Sequence, residues 1–496
     1  MNLARIVDGH PEEAVALVSR GKPVTYGALR ETVDRTRGGL AGLGLEPGDR
    51  VALSCANNPL FVTSYLAALG CGCVVVPLNP TSPAAEMCRQ LGSIGARALV
   101  VGPQSAVAAS ALDRAALVDL EHVLTPPGVE LAGATDLTEI VSGEPVPVVE
   151  RASEDLALLV FTAGTAGSPK AAMLTHGNLL INIEQAQQVP ERRLVADDLS
   201  LGVLPLSHIF GLNVVLGMSL AAGASVVLVE RFDPVSALDT IQRLGCTVVA
   251  GAPPMWTAWS GMADADADSF ASVRLAVSGA SKLSEETAST MLRRYGLHVE
   301  EGYGLTEASP IVTSSVGDGA KPGSIGRPLP GVEIRLVDDG DDALLGDSGE
   351  IWVRGPNVFA GYWNDPQATA AALTSDGWLR TGDIAVADDD GSLWIVDRSK
   401  DLIIVSGFNV YPAEVEEILL EHPGVEAAAV VGVDHPYSGE AVKAWVVPVA
   451  GAHLDEDAVI EFCTRHLAGY KCPTKVMFVE EIPHGMGGKV LRRALR

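Results

Sequence analysis

Residues 156–170 read Leu-Ala-Leu-Leu-Val-Phe-Thr-Ala-Gly-Thr-Ala-Gly-Ser-Pro-Lys, an apolar run that leads into a loop of glycine and hydroxyl residues. The apolar part, residues 156–161, has the length of a strand and is followed by turn residues, as expected for a buried strand. Glycines in the loop let backbone N–H groups turn toward an anion, and the final lysine adds a positive charge. The stretch therefore predicts a sheet strand followed by a phosphate-binding loop.

This loop suits the β- and γ-phosphates of ATP, although it is not a Walker A loop. That motif needs glycine before the lysine and serine or threonine after it, whereas Lys170 stands between Pro169 and Ala171. Hydroxyl side chains would add donors to those of the backbone. The phosphate ligands that we predict are Thr162, Gly164, Thr165, Gly167, Ser168 and Lys170.

Short apolar runs alternate with amphipathic helical patterns along most of the chain. This alternation predicts α/β architecture with largely parallel sheets. The predicted strands are residues 51–55, 74–77, 98–101, 156–161, 201–204, 225–228, 248–250 and 275–278, and two clear helical patterns are residues 26–43 and 234–244.

The chain divides into two unequal parts. At 496 residues it is too long for one ordinary core. An acidic, turn-rich stretch at 338–350 precedes a small strand-rich subdomain, and a polar stretch at 397–401 precedes a new pattern of strand, helix and strand. We therefore predict a large N-terminal domain of α/β subdomains, residues 1–397, and a small α+β C-terminal domain, residues 401–496.

Composition excludes some classes of protein. The chain has 62 acidic and 35 basic residues and a formal net charge of −27, which argues against nucleic acid as a partner. Its seven cysteines form no CxxC pair and are expected to be reduced and structural. Residues 62–76 are interpreted as a buried helix running into a strand, not as an integral membrane segment. We expect a cytoplasmic protein.

Seven segments, in order and including the phosphate loop, resemble the motifs of the adenylate-forming superfamily, which comprises acyl- and aryl-CoA ligases, peptide-synthetase adenylation domains and beetle luciferases. The family's phosphate loop usually reads Ser-Gly-Thr-Thr-Gly and then Pro-Lys-Gly, so Ala163, Ala166 and Ala171 depart from it and two hydroxyl donors are lost. The resemblance covers essentially the whole chain. Its segments are 161–170 with Thr175-His176, 204–211, 278–281, 303–307, 376–383 with Arg398, 398–401 with 406–414, and 482–492.

The resemblance assigns a role to each matching residue. His208 would lie near the substrate carboxylate, Thr306 would donate to phosphate, and Glu307 would bind Mg²⁺. Lys489 would complete the adenylation site. The small C-terminal domain would be mobile about a hinge at residues 398–400. The other nucleotide-binding residues implied are Gly279, Ala280 and Ser281 beside adenine and the acyl chain, Gly302, Tyr303 and Gly304 with Tyr303 stacked on adenine, Asp383 and Arg398 at the ribose, and Gly407 in the loop that faces the site during thioester formation.

The activity implied is an AMP-forming acyl-CoA ligase that uses ATP, Mg²⁺ and coenzyme A. It would form an acyl-adenylate from a carboxylic acid and then transfer the acyl group to the CoA thiol. The turn at residues 305–310 looks like that of fatty acyl-CoA ligases, which favours a medium- or long-chain fatty acid. The predicted pocket segment, residues 251–259, is apolar and has no basic residue, which disfavours a dicarboxylate such as malonate.

Other functions stay open. An aryl acid could be the substrate, or the acceptor could be the phosphopantetheine of a carrier protein supplied in trans. A non-catalytic nucleotide-binding protein is the alternative of a different class, supported by Ala163 and Ala166 in the loop. The sequence leaves the oligomeric state open, a homodimer included.

Overall fold

A computed structural model of the chain describes residues 1–141, 144–162, 170–317, 321–338, 341–343, 346–398, 403–449, 452, 454–483, 492 and 495. The predicted alternation of strands and helices forms two large sheets that are mainly parallel. A smaller antiparallel sheet and a C-terminal α+β unit follow them in the chain. The parallel strands are short and buried, because helices cover both faces of such sheets.

The first large sheet has nine strands, of which the six central ones are parallel and the three at the edges are antiparallel. In spatial order its strands are Arg327–Pro328, Ile311–Ser314, Glu300–Gly304, Leu275–Ser278, Val248–Gly251, Leu199–Gly202, Ser225–Leu228, Val15–Ser19 and Lys22–Thr25.

The second large sheet has seven strands, and the opening stretch of the sequence forms its edge. Leu156–Thr162 and Lys170–Thr175 pair antiparallel there, while the other neighbours are parallel. The loop between these two strands, residues 163–169, lies outside the described residues. In spatial order the strands are Thr135–Asp136, His122–Thr125, Ala98–Val101, Arg50–Ser54, Val74–Pro77, Leu156–Thr162 and Lys170–Thr175.

Local sequence signals fix the helix ends. Asp233 caps the helix Pro234–Leu244 by accepting from the Ser236 N–H, and Gly245 ends it with a φ of 71°. The α-helices of the large domain are Tyr26–Gly42, Pro59–Gly70, Ala84–Ile94, Ala106–Ser110, Leu137–Val141, His176–Gln187, Met218–Ala221, Pro234–Leu244, Pro253–Ser260, Glu285–Tyr295 and Pro366–Ala372, with a π-helix at Phe210–Gly217.

The strand-rich part and the C-terminal unit have antiparallel sheets. The former contains Asp341–Asp342, Glu333–Asp338, Gly349–Arg354, Leu379–Ala387 and Leu393–Arg398 in spatial order. The latter contains Phe408–Val410, Ile403–Val405, Gly439–Pro448 and Val425–His435, with Lys475–Phe478 parallel to Gly439–Pro448, and helices Pro412–Leu420 and Glu456–His466.

One predicted strand is displaced. Residues 201–204 are predicted as a strand, but the strand in the structure is Leu199–Gly202. The chain leaves the sheet after it because the buried Asn57 amide donates to the carbonyls of Gly202, at 3.0 Å, and Leu204, at 2.8 Å. The Gly202 carbonyl also accepts from the Val229 N–H beside the neighbouring strand, at 3.0 Å, so Gly202 is still bonded to the sheet, whereas Leu204 is held by the Asn57 side chain.

The apolar stretch at residues 62–76 has the predicted form. It spans most of the helix Pro59–Gly70 and most of the strand Val74–Pro77, and every residue of it except Thr63 is buried. Within the described ranges, no helix has both the length and the apolar character needed to cross a bilayer.

Candidate active site

A cavity of about 610 Å³ opens where the central parallel strands of the nine-stranded sheet end. The carboxyl ends of parallel strands are the usual position of a ligand site in open α/β sheets. Two of these strands, Leu275–Ser278 and Glu300–Gly304, lead directly into its wall. The lining includes Arg192, His208, Ile209, Phe210, Val214, Val277, Ser278, Gly279, Ala280, Gly302, Tyr303, Gly304, Leu305, Thr306, Pro310, Ile311 and Asn409.

Small residues form one wall because larger ones would not fit. An added Cβ at Gly279 would lie 2.9 Å from Cε1 of the Phe210 ring, so the ring packs directly on the backbone there. Ala280 adopts a φ of 72°, which a non-glycine residue rarely does. Gly279 and Ala280 line the cavity as predicted for a flat ligand, whereas Ser281 is not among the described lining residues.

Tyr303 holds Asp383 at the edge of this cavity. The Tyr303 hydroxyl donates to Asp383 Oδ2 at 2.7 Å, and the tyrosine ring is buried. Asp383 lies in the strand Leu379–Ala387, where its backbone pairs with that of Arg398. The predicted adenine and ribose residues are therefore adjacent, since one tyrosine offers its ring to the cavity and its hydroxyl to the carboxylate.

Glu307 lies in a polar cluster with Tyr362 and Lys170. The Tyr362 hydroxyl donates to Glu307 Oε1 at 2.7 Å, and Lys170 Nζ lies 5.2 Å from the centroid of the Tyr362 ring. Burial, and then the charge of Glu307, raise the pKa of Tyr362, so its hydroxyl stays a donor. A carboxylate held in this way beside a lysine fits Mg²⁺, which binds one or two carboxylates together with nucleotide phosphates.

The phosphate loop starts and ends next to this cluster. Thr162 and Lys170 are backbone partners across the antiparallel pair, and the Thr162 hydroxyl lies 3.5 Å from the Lys170 carbonyl oxygen. The predicted ligands between them, Gly164, Thr165, Gly167 and Ser168, lie outside the described residues.

His208 is positioned as a neutral donor. The Phe210 N–H donates to His208 Nδ1 at 3.2 Å, so the ring proton belongs on Nε2. Burial lowers the pKa of His208 to about 4, which keeps the ring neutral at pH 7. A neutral imidazole with its proton on Nε2 can donate a hydrogen bond to an anionic oxygen in the cavity.

A second cavity, of about 710 Å³, lies between the large domain and the C-terminal unit. Phe408 and Asn409 border it from the C-terminal side, and His208 and Thr306 from the other. His208, Thr306 and Asn409 also line the first cavity, so the two cavities share these three residues, which we call the junction.

The loop that contains Gly407 packs against the large domain at the junction. An added Cβ at Gly407, whose φ is 86°, would lie 2.8 Å from Ala252 Cβ. The Phe408 and His208 rings meet edge to face, with centroids 6.5 Å apart. Further along, the Ala468 N–H donates to Glu86 Oε2 at 2.9 Å. That this loop faces the site during thioester formation stays a prediction.

Some predicted residues cannot be placed. Lys489 and the hinge residues Ser399 and Lys400 lie outside the described residues, and only the backbone of Arg398 is described.

The predicted pocket segment, residues 251–259, does not line the first cavity. It forms the helix Pro253–Ser260, which buries Trp256 and Trp259 completely. An edge-to-face aromatic cluster holds this helix in the core, and its members are Phe232, Trp256, Trp259, Phe270 and Tyr295.

Two residues of the site were missed in the sequence. Tyr362 is 55 positions from Glu307, and no local pattern connects them. Arg192 lies within Glu191-Arg192-Arg193, which has the charged character of an exposed loop, yet Arg192 is buried and lines the first cavity. The segment 251–259 has no basic residue, and the basic side chain on the first cavity comes from elsewhere in the chain. The only local signal was Pro190, which begins a short 3₁₀ helix that turns Arg192 inward.

Known proteins resemble this chain over nearly its whole length. Residues 3–363 match the AMP-binding enzyme family, and residues 414–489 match its C-terminal domain. A feruloyl-CoA synthase of Amycolatopsis sp is 38% identical over 97% of this chain and 95% of that protein. A long-chain-fatty-acid–CoA ligase of Salmonella typhimurium is 38% identical over 97% of this chain and 91% of its own.

A solved structure agrees with the fold. The amide bond synthetase of Marinactinospora thermotolerans superposes with a TM-score of 0.88 and 33% identity, over 100% of this chain and 99% of its own. The predicted resemblance, the α/β fold with a small C-terminal domain and the enzyme class of AMP-forming acid–thiol ligases are thereby confirmed. The domain boundaries and individual site residues stay predictions.

Proposed function

We propose, from the premise that this chain belongs to the AMP-binding enzyme family, that it activates a carboxylic acid as its acyl-adenylate and passes the acyl group to coenzyme A. In the first step a substrate carboxylate oxygen bonds to the α-phosphorus of ATP, and the bond to pyrophosphate breaks. In the second, the CoA sulfur bonds to the acyl carbon, the thiol proton is lost, and AMP leaves.

The junction of the two cavities is the observation that carries this proposal. One cavity is lined by residues proposed for adenine and the acyl chain, and the other lies against the C-terminal unit. An acyl carbon held at His208 and Thr306 would be reachable from both. Such a shared point is what two successive reactions on one carbonyl require.

Charge is the main obstacle to the first step, because a carboxylate must approach a phosphate. His208 would donate through Nε2 and Thr306 through its hydroxyl, while Lys170 supplies a positive charge. Mg²⁺, when bound at Glu307, would neutralise phosphate charge. We further propose Lys489 as the residue that completes this arrangement.

The second step would use the C-terminal unit in the observed position. The Gly407 loop lies against Ala252 and borders the cavity through which a thiol would approach. We propose domain limits of 1–397 and 401–496, with a hinge at 398–400 that lets Lys489 and the Gly407 loop alternate. A polar hinge can rotate without burying unpaired groups.

The cavity supports an acid with an apolar body. Ile209, Val214 and Val277 form its walls beyond the junction. The names of the relatives include both a fatty-acid and a feruloyl ligase, so medium- or long-chain fatty acids and aryl acids are the two classes to compare.

Exchange of radioactive pyrophosphate into ATP with a panel of acids tests the proposal. We expect pyrophosphate exchange with at least one acid. With that acid, thioester formation should be faster with free CoA than with a phosphopantetheine carrier protein. A Glu307→Gln variant should lose exchange, with Glu31→Gln as an exposed acidic control. If no acid supports exchange, the chain is better described as a non-catalytic nucleotide-binding protein.

A further inference from the structure

Arg192 is a buried guanidinium that has no acidic partner among the described residues. Its residue is 3% exposed, at the end of the short helix Pro190–Arg192. Nη1 donates to the Ser314 hydroxyl at 3.0 Å, and Nε has no hydrogen-bond partner. In the part of the chain that the structure describes, Arg192 forms no ion pair with Asp or Glu, whereas buried charges are usually paired.

The charge is retained despite its burial. Burial lowers the pKa of Arg192 to about 10, so the guanidinium is still protonated at pH 7. A single hydroxyl compensates it poorly, because a buried charge needs an opposite charge or several hydrogen bonds. Among the described residues the guanidinium therefore lacks a counter-charge, and Arg192 lines two adjoining cavities from which an anion could supply it.

Arg192 faces the deep end of the acyl cavity. A further cavity, of about 360 Å³, is lined by Arg192, Val214 and Val277, which it shares with the first cavity. Leu275 also lines it, two residues before Val277 and therefore on the same face of the strand. The cavity thus continues along the strand away from Gly279 and the junction, and Arg192 stands on its wall.

Apart from Arg192 and Ser200, the walls of this deeper part are apolar. Ser200 is already paired, through a hydrogen bond of 2.8 Å from the Ser219 hydroxyl. The deep cavity is otherwise lined by Leu194, Leu201, Val215, Met218, Val248 and Ala250. An anion bound there would contact one guanidinium in apolar surroundings. The low local dielectric strengthens the attraction between the two charges and disfavours a neutral group at the same position.

We propose that Arg192 binds a second carboxylate at the far end of the acyl substrate. The substrate class is then a dicarboxylic acid with an apolar body, whose first carboxylate is adenylated at the junction. The planar guanidinium matches a carboxylate, which can accept from two of its N–H groups together. This assignment rests on the proposed function, whose acyl site it extends.

The test compares aliphatic dicarboxylic acids with methyl-terminated monoacids of the same length. In wild-type enzyme, kcat/KM for pyrophosphate exchange should favour the diacid by about 100-fold, as expected when a buried charged donor is left unpaired by the wrong substrate. Arg192→Met should lose about 100-fold with the diacid and keep or improve the rate with the monoacid.

Arg193→Met is the matched control, because it removes the same charge from the adjacent exposed residue. This variant should leave kcat/KM for pyrophosphate exchange unchanged with both the diacid and the monoacid. Arg192→Lys keeps the charge without the planar fork and should retain part of the preference, which also covers the event that Arg192→Met does not fold. Thermal unfolding of each variant separates loss of fold from change of preference.

The assignment is overturned if wild-type enzyme uses monoacids as well as diacids, or prefers a neutral hydroxyaryl acid to both. It is also overturned if Arg192→Met slows all acids by one factor, since a purely structural residue would do that. Absence of exchange with every acid would count against the proposed function. In that event calorimetric binding of the diacids to wild-type protein and Arg192→Met still decides the role of Arg192.

Discussion

Lys471 Nζ lies 2.6 Å from Glu86 Oε1 and thereby joins the C-terminal unit to the large domain. The same ammonium lies 2.8 Å from Glu414 Oε1, within the C-terminal unit. All three residues are buried. Burial alone would lower the pKa of Lys471, but Tyr470, Glu414 and Glu86 together raise it, so the group stays charged. The triad is complete only where the two units meet in this way.

Glu86→Gln should therefore weaken this orientation of the C-terminal unit. We expect transfer of the acyl group from supplied acyl-adenylate to CoA to slow by about tenfold, since a hydrogen bond between charged groups is lost. Pyrophosphate exchange, which would use the other orientation, should be unchanged or faster. Glu31→Gln, on an exposed helix face, is the control. Equal slowing of both half-reactions would contradict the prediction.

Lys471→Met is expected to be more damaging, because it leaves Glu86 and Glu414 buried without a counter-charge. Removing one partner of a buried ion pair typically costs about 3–5 kcal/mol of stability. Chemical denaturation measures this loss, and Lys475→Met, which removes an exposed lysine from the same unit, serves for comparison. A stability equal to that of Lys475→Met would show that the triad is not a stabilising contact.

Lys489→Ala should separate the two half-reactions in the opposite sense. Loss of a positive charge at the adenylation site should reduce pyrophosphate exchange by about 100-fold or more. Thioester formation from supplied acyl-adenylate should be largely retained, and Lys475→Ala should affect neither reaction. If Lys489→Ala slows both half-reactions equally, the enzyme does not alternate between two arrangements.

Ala166→Thr should tighten ATP binding. The substitution restores a hydroxyl donor that the family's loop usually carries, and one added hydrogen bond is worth about two- to tenfold in affinity. Equilibrium binding of ATP measures it directly, and Ala163→Ser tests the other missing hydroxyl. Unchanged ATP affinity in both variants would mean that backbone donors suffice.

His176 makes stability depend on pH. The residue is fully buried, and its Nδ1 accepts from the Leu3 N–H at 3.0 Å. Burial first, and then the charges of Arg151 and the N-terminus, lower its pKa from 6.5 to about 4. Between these values the unfolded chain binds a proton that the folded protein does not. Stability should therefore fall as pH falls from 6.5 toward about 4.

The matched variant isolates this contribution. His176→Gln removes the titrating ring, so the unfolding free energy of wild type should fall more steeply with decreasing pH, by at most about 1.4 kcal/mol per pH unit. Denaturant titrations across this window measure both slopes. Parallel slopes would contradict the assigned pKa shift.

Much of the fold could be predicted because the residues that begin and end its helices and strands lie within or next to those elements in the sequence. The helix Pro234–Leu244 has its cap, its proline and its terminal glycine in the sequence, and its predicted bounds agree with the structure. The strand Leu199–Gly202 was displaced by two residues because the chain leaves the sheet after Gly202, where a distant side chain, Asn57, binds the Leu204 carbonyl. Such a contact has no signature within the strand itself.

Some residues of the candidate site could likewise be predicted from a local motif, whereas others depend on tertiary packing. Tyr303, Thr306 and Glu307 lie within five consecutive residues and could be recognised together. Arg192 could not, because its role depends on an apolar cavity built from strands far away in the chain. A charged residue is exposed in most proteins, so only tertiary packing shows the exception.

The junction has a consequence for the reactive intermediate. An acyl-adenylate held at His208 and Thr306 would already form part of the wall of the cavity through which the thiol arrives. The mixed anhydride would then never need to enter water between its synthesis and its use. Hydrolysis of the acyl-adenylate would then require the protein to open, and no freely diffusing acylating agent would be released.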